Sequence, residues 1–359
     1  MSTIQNHNDN ITVNVTLSAV PAQEAGFGTV LLMVPKAQNS LNSARSVRYT
    51  SYAEAQADQT AGYISSGTLA AVLVAFAQRP APADILVGNV DLAGSPAETY
   101  ATALPLIIAD DPDFYGVCAT TRTGADVEAL ALVAETYDKL YISQSGDADW
   151  LTSGYPSAFT DLEDLQNSAT VYHTTSSEWA DVAWACGALA FDPDDVSIPW
   201  DRPLKGVAAY TSNLTAAQKN FADANNANLM LAYGGAAAFV DPGVNHEGRP
   251  VADVITAHWL KIRLTERLAA LKVRESTAGR KIPMTAAGQM QVMGELTALF
   301  AQGIAAGHFV DGQTEVTPLA LTSADITAGR MRFTARAQLV SSARVFTFNI
   351  NVGTDALAA

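Results

Sequence analysis

Charge is scarce in this sequence, and basic charge is scarcer still. Only 16% of its 359 residues are Asp, Glu, Lys or Arg, below what the surface of a soluble monomer usually carries, so neighbours are expected to cover much of that surface. With 21 Lys and Arg against 36 Asp and Glu the formal net charge is −15. That excess speaks against nucleic acid as a partner, because phosphate binding needs clustered cations. Two cysteines, Cys118 and Cys186, stand far apart without CxxC spacing, which implies neither a disulfide framework nor a zinc site; both are expected reduced and buried. His7, His173, His246, His258 and His308 form no HExxH pair and have no CxxC companion. A GxSxG elbow, a Walker A loop and a full GxGxxG are all missing, and the GFG at Gly26 lacks a third glycine. No catalytic, cofactor or metal residue is therefore assigned, and the chain reads as a non-enzyme.

No apolar run is long enough to cross a bilayer, so direct membrane insertion is not expected. The opening MSTIQNHNDN lacks the basic and then apolar pattern of a secretory signal. Synthesis in a reducing cytoplasm follows as an expectation. Two acidic clusters, Asp110, Asp111 and Asp113 and then Asp192, Asp194 and Asp195, lack the DxDxDG spacing and closing Glu of a calcium loop. Beside Pro112 and Pro193 they read as turn formers.

What charge there is divides unevenly. Residues 1–200 hold 6 Lys and Arg against 24 Asp and Glu, a balance of −18, which leaves 15 against 12, or +3, for residues 201–359. Either one lobe carries an acidic, solvated face, or the basic half docks on an acidic partner.

Hydrophobic patterning supplies the elements. The continuous apolar run from Gly26 to Val34 suits a strand buried on both faces. A short helix follows the turn at Tyr49, then a strongly apolar helix stopped by Pro80 and Pro82, and a strand at Ile85–Val90. A strand near Phe114–Ala119, a helix from about Asp126 to Tyr137 and a strand at Leu140–Ser143 make a β-α-β unit. A strand at Ser168–Thr175 and a helix from about Ser177 lead to an acidic loop punctuated by Pro193 and Pro199, the best candidate boundary. Beyond it, Thr215 sits where a helix N-cap would, a strand spans Asn226–Gly235, and a long helix begins near Asp253. On that helix Arg263, Arg267 and Arg274 fall within about 40° of arc between two apolar flanks. Another helix carries Met290 and Met293, which read as core, and a half-exposed strand covers Met331–Leu339.

Both ends of the chain are strands without an evident partner. Ile11, Val13, Val15 and Leu17 alternate with polar residues at one end, as do Phe346, Phe348, Ile350 and Val352 at the other. Such strands are marginal alone and add to a sheet. The two ends can pair with each other or with the core, or link chains by strand addition to another subunit.

Taken in order, these segments resemble the contractile tail sheath proteins of bacteriophages, in particular a short sheath-like family of phages and prophages. The resemblance rests on ITVNVTLS with GFGTVLLMV, YTSYAEAQAD with AFAQRPAPADILVGNVD, DDPDFYGVCATT with ALVAETYDKLYISQS, ITAHWLKIRLTERLAAL with GRKIPMTAAG, and RMRFTARAQLVSSARVFTFNINVGT. It implies an α/β (mixed α+β) sheath core with N- and C-terminal β-strand arms. The expected division is an arm at 1–20, an acidic and outward-facing α/β lobe at 21–198, a tube-facing C-terminal sheath domain at 199–340 and an arm at 341–359. It also implies self-assembly into hexameric rings stacked as a helical tube, with the tail tube protein, baseplate and tail terminator as partners, a place in the virion after assembly in the host cytoplasm, and contraction without a cofactor. Arg263, Arg267 and Arg274 become candidates for tube contact. A cytoplasmic α/β enzyme or ligand-binding protein is the alternative reading, and a tailocin or other contractile injection particle is the alternative within the structural class.

Overall fold

A computed structural model describes residues 26–36, 44–210, 214–233 and 237–341. The terminal arm strands at 11–18 and 345–352 lie outside the described residues.

In chain order the elements are β1 (Val30–Pro35), β2 (Ser46–Tyr49), α1 (Tyr52–Thr60), α2 (Ser66–Ala77), β3 (Ile85–Val90), α3 (Tyr100–Asp110), β4 (Gly116–Ala119), α4 (Gly124–Thr136), β5 (Leu140–Ser145) and β6 (Ser168–Tyr172). There follow α5 (Ala180–Leu189), β7 (Pro203–Leu204), α6 (Ala216–Ala224), β8 (Asn228–Tyr233), β9 (Ala237–Asp241), α7 (Val251–Thr277), α8 (Ala286–Ala306), β10 (Phe309–Pro318), α9 (Ser323–Ala328) and β11 (Phe333–Leu339).

Nine strands form one mixed sheet in the order β2-β3-β1-β4-β5-β6-β8-β9-β7. The run from β3 to β8 is parallel, while β2 at one edge and β9 and β7 at the other are antiparallel. Period-two geometry turns the apolar run of β1 both ways. Leu31 and Met33 join one buried layer with α3, α4 and Trp150, while Leu32 and Val34 join the other with α2, α5 and Trp184. Each fully buried Leu or Met contributes about 1.5–3 kcal/mol, which is why a strand with no polar face lies inside the sheet.

The helices begin where the sequence offers caps. Thr215 and Gln218 form a reciprocal capping box at the start of α6, which satisfies two otherwise orphaned backbone donors. Thr99 and Thr102 do the same for α3, over a stretch whose sequence reads only as apolar or amphipathic. After β9 the chain turns sharply at Gly243, whose φ is 75° and where a Cβ would lie 2.5 Å from the Asp201 amide nitrogen, so only glycine fits.

The loop holding Pro193 and Pro199 reads as a boundary in sequence, yet the sheet continues past it, because β7, β8 and β9 all join the strands before residue 198. The expected division at 198/199 thus cuts a single hydrogen-bonded sheet. Burial explains the discrepancy: Trp200 anchors the loop, with its carbonyl accepting from Trp184 Nε1 at 2.9 Å and the two indole centroids 5.3 Å apart. What lies beyond the sheet is α7 and α8 packed together, with α8 against the separate two-stranded sheet β10-β11.

Candidate assembly surface

Open α/β sheets bind ligands at the carboxyl ends of their strands, where the strand order reverses. Here the reversal is at β1, between β3 and β4, and a side-chain pair occupies the carboxyl end of β4. Arg122 Nη1 donates to Asp181 Oδ2 at 2.8 Å and Nη2 to Oδ1 at 3.1 Å, while Nη1 also reaches the Ala119 and Thr121 carbonyls. The guanidinium stands 5.4 Å from the Trp179 ring centroid. Asp181 lies in the first turn of α5 and is fully buried. Burial pushes its carboxyl above the usual carboxylate range, with Arg122 opposing. A bidentate pair in this position fills the place of a ligand.

A cavity of about 250 Å³ opens at the other end of the strands, lined by Tyr115, Asp138, Lys139, His258 and Lys261 among others. Its polar groups are engaged with one another. Lys139 Nζ donates to the Phe114 and Pro112 carbonyls and sits 4.3 Å from the Phe114 centroid; burial brings its ammonium down to about 8. His258, lowered to about 4 by burial, is neutral and accepts from Tyr115 Oη at 2.7 Å. Lys261 pairs with Asp138 at 2.7 Å. Among the described residues no group of three or more His, Cys, Asp and Glu is placed to hold a metal ion, and none of their helices is long and apolar enough to cross a membrane. Cys118 and Cys186 are free and buried.

The three arginines of α7 do not share one exposed stripe. Arg263 is 8% exposed and turned inward: its Nε and Nη2 bind Asp194 and its Nη1 binds Glu266 at 2.8 Å. Burial would raise the Asp194 carboxyl, but hydrogen bonds from Arg263 and Trp259 reverse that and hold it below the usual range. Arg267 is half-buried and donates to Gln302 at 2.6 Å. Arg274, with 60% of its side chain exposed, reaches Glu295 at 3.0 Å. Helical spacing places all three on one side of α7. It cannot show that α8 and the Asp194 loop cover that side near Arg263 and leave it open near Arg274. Met290, expected in the core, is 64% exposed.

The sheet β10-β11 is where the chain is least complete. Its strands of 10 and 7 residues pair with each other and with no other strand among the described residues, so each has an edge of unused backbone groups. A two-stranded ribbon is marginal by itself. This one is held at its root by Phe309, packed on Phe300 and Trp259. Val273, Met290, Leu319, Ile326 and Val340 are exposed apolar side chains in the same part of the chain, the kind of surface that protein contacts cover.

No protein-family profile matches this chain, and no curated protein sequence does. Solved structures do. One is a chain in the cryo-EM structure of the anti-feeding prophage (AFP) baseplate, 6-fold symmetrised, with a TM-score of 0.68 over 96% of this chain and 99% of that one, at 11% identity. The two chains share a fold. A second likeness is to a chain of an extracellular contractile injection system, the PVC sheath complex in contracted state, with a TM-score of 0.62, 11% identity, and coverage of 99% and 98%. At this identity the likeness is one of fold, and it extends over nearly the whole length of each chain. Sequence reasoning missed β10 and Asp181, and took Asp194 only as a turn former beside Pro193.

Proposed function

We propose that this chain is a structural subunit of a contractile sheath, assembling with copies of itself into stacked hexameric rings around a tube and shortening to drive that tube through a host envelope. The observation that carries the reading is the fold likeness over nearly the full length of both chains, to a chain of the anti-feeding prophage baseplate and to a chain of the contracted sheath complex of an extracellular contractile injection system. The unfinished β10-β11 ribbon supports it. In this reading, the strands at 11–18 and 345–352 of neighbouring subunits add to its edges, since main-chain ladders give a join that survives sliding and rotation. A head-to-tail contact that does not close gives a filament rather than a ring alone. The acidic first lobe faces outward, where like charge keeps particles apart. Arg274, with Arg267 behind it, carries the contact with the tube, and Arg263 serves inside the subunit. Contraction needs no nucleotide: a rigid subunit with flexing arms occupies two lattices. The reading holds equally for a phage tail, a tailocin or an injection particle, and includes the baseplate and tail terminator as partners.

Electron microscopy of the purified protein at rising concentration, alone and with tube, tests the proposal. Striated hollow tubes with six-fold end views are expected. Compact particles of one or a few chains under both conditions would overturn it. The cavity beside Lys139 supports a second reading, a ligand-binding α/β protein. The Arg122–Asp181 pair, standing where such folds keep their crevice, weighs against it.

A further inference from the structure

Arg202 differs from the arginines that this fold holds in ion pairs. Arg45 pairs with Glu98, Arg48 with Asp84 and Asp111, Arg122 with Asp181 and Arg263 with Asp194. Arg202 is half-buried and has no carboxylate within ion-pair distance among the described residues; its Nε is buried without a hydrogen bond. Its guanidinium lies 4.9 Å from the Phe191 ring centroid. Burial lowers its pKa with no charge opposing. A desolvated cation with no counter-charge costs free energy that a supplied carboxylate would return.

The surroundings describe what would supply it. Arg202 immediately precedes β7, the edge strand of the nine-stranded sheet, which pairs with β9 on one side; on the other side Pro203 offers no N–H and the Gln78 side chain holds the Lys205 N–H and carbonyl, so that edge is already covered. Phe191, Val196 and Ile198 line a shallow apolar groove beside it, with Val196 38% exposed. An apolar strip and an unpaired guanidinium together fit a segment that carries both an acidic and an apolar side chain. Copies of this chain are rich in such segments, because residues 1–200 have 24 carboxylates and only 6 basic side chains; charge complementarity thus selects a second copy.

We propose that Arg202, stacked on Phe191 beside this apolar strip, is a contact at which a second copy of this chain docks an acidic segment of its first 200 residues. The proposal rests on the self-assembly reading above and names a contact distinct from the β10-β11 ribbon.

The test uses the full chain with a photo-crosslinker at Val196, assembled from mixed isotope-labelled and unlabelled copies, next to Arg202→Glu and Arg202→Met variants. Crosslinks between labelled and unlabelled copies are expected at an Asp- or Glu-bearing peptide from residues 1–200. Arg202→Glu is expected to raise the concentration needed for assembly at least about tenfold. Arg202→Met should melt at or above the wild-type temperature, since the subunit loses an unpaired charge; a residue needed for folding would show the opposite. Tubes from Arg202→Glu at the wild-type concentration, or crosslinks confined to one copy, would overturn this contact and leave the sheath reading standing. Loss of small, non-tubular oligomers in Arg202→Glu would uphold the contact while the sheath reading failed. A wild-type chain that never self-associates, with or without tube, would overturn both.

Discussion

Asp194 Oδ2 lies 2.5 Å from Arg263 Nη2 and 2.9 Å from its Nε, although 69 residues separate the two in sequence. The same carboxylate accepts from Trp259 Nε1 at 2.8 Å and Gln302 Nε2 at 3.1 Å. One aspartate in the loop after α5 thus joins α7 and α8 to the sheet. Asp194→Asn is expected to cost about 2 kcal/mol, because the buried Arg263 keeps Glu266 but loses its other counter-charge; urea unfolding at neutral pH measures it. The folded carboxyl lies below its unfolded value, so its contribution is full above about pH 4 and fades as pH falls further. The gap between wild type and variant should narrow in acid.

A different group governs the range just below neutrality. His246 is buried, hydrogen-bonded to Tyr155 Oη at 2.8 Å and Thr170 Oγ1 at 3.1 Å, and lowered to about 3 by burial. His258 is lowered to about 4. Both fall below the unfolded histidine value of about 6.5, so the unfolded chain binds more protons and stability drops as pH falls from there toward 4. Each histidine gives a slope of up to about 1.4 kcal/mol per pH unit. His246→Gln should flatten the profile by one such share in urea unfolding between pH 4.5 and 7.5.

Gly303 brings α8 against the root of the ribbon. A Cβ there would stand 2.6 Å from the Phe309 ring and 3.2 Å from Trp259. Gly303→Ala is expected to destabilise by about 1–3 kcal/mol through overpacking, despite the helix preference of about 0.5–1 kcal/mol for alanine. Adding Phe309→Leu should recover part of the loss, and a double-mutant cycle in thermal unfolding measures the coupling.

Removing residues 1–20 should leave a monomer that melts within a few degrees of the wild type and forms no tubes. The expectation follows from the open edges of β10 and β11. Calorimetry with electron microscopy checks both halves, and tubes from the truncated chain would refute the arm assignment.

The α7 arginines should separate by burial. Arg274→Glu is expected to keep the fold and weaken docking on tubes, since its side chain is 60% exposed. Arg263→Glu should unfold the subunit, because it places a second carboxylate against Asp194 and Glu266. Circular dichroism and co-sedimentation with tubes distinguish the two losses.

These contrasts mark what the sequence could disclose. The inner strand β1 was legible from VLLMVP, since only burial on both faces explains an unbroken apolar run, and α6 from Thr215. The ribbon strand β10 was not. Its residues are half-exposed and owe their conformation to pairing with β11, which leaves no apolar period. Nor does spacing along α7 tell Arg263 from Arg274, because the difference lies in Asp194, brought alongside only by the folded chain. The continuous sheet across residue 198 was hidden for the same reason, since a Pro-rich acidic loop has a linker's composition even when Trp200 nails it down.

That tryptophan has an optical consequence. With the Trp184 and Trp200 indoles tilted 70° at 5.3 Å, their electronic transitions couple as an exciton pair and give the far-ultraviolet dichroism a feature that neither chromophore produces alone. The pair spans α5 and the loop leading to Arg202, so this band acts as a built-in spectroscopic gauge. It reports in real time whether that corner stays shut while subunits find one another.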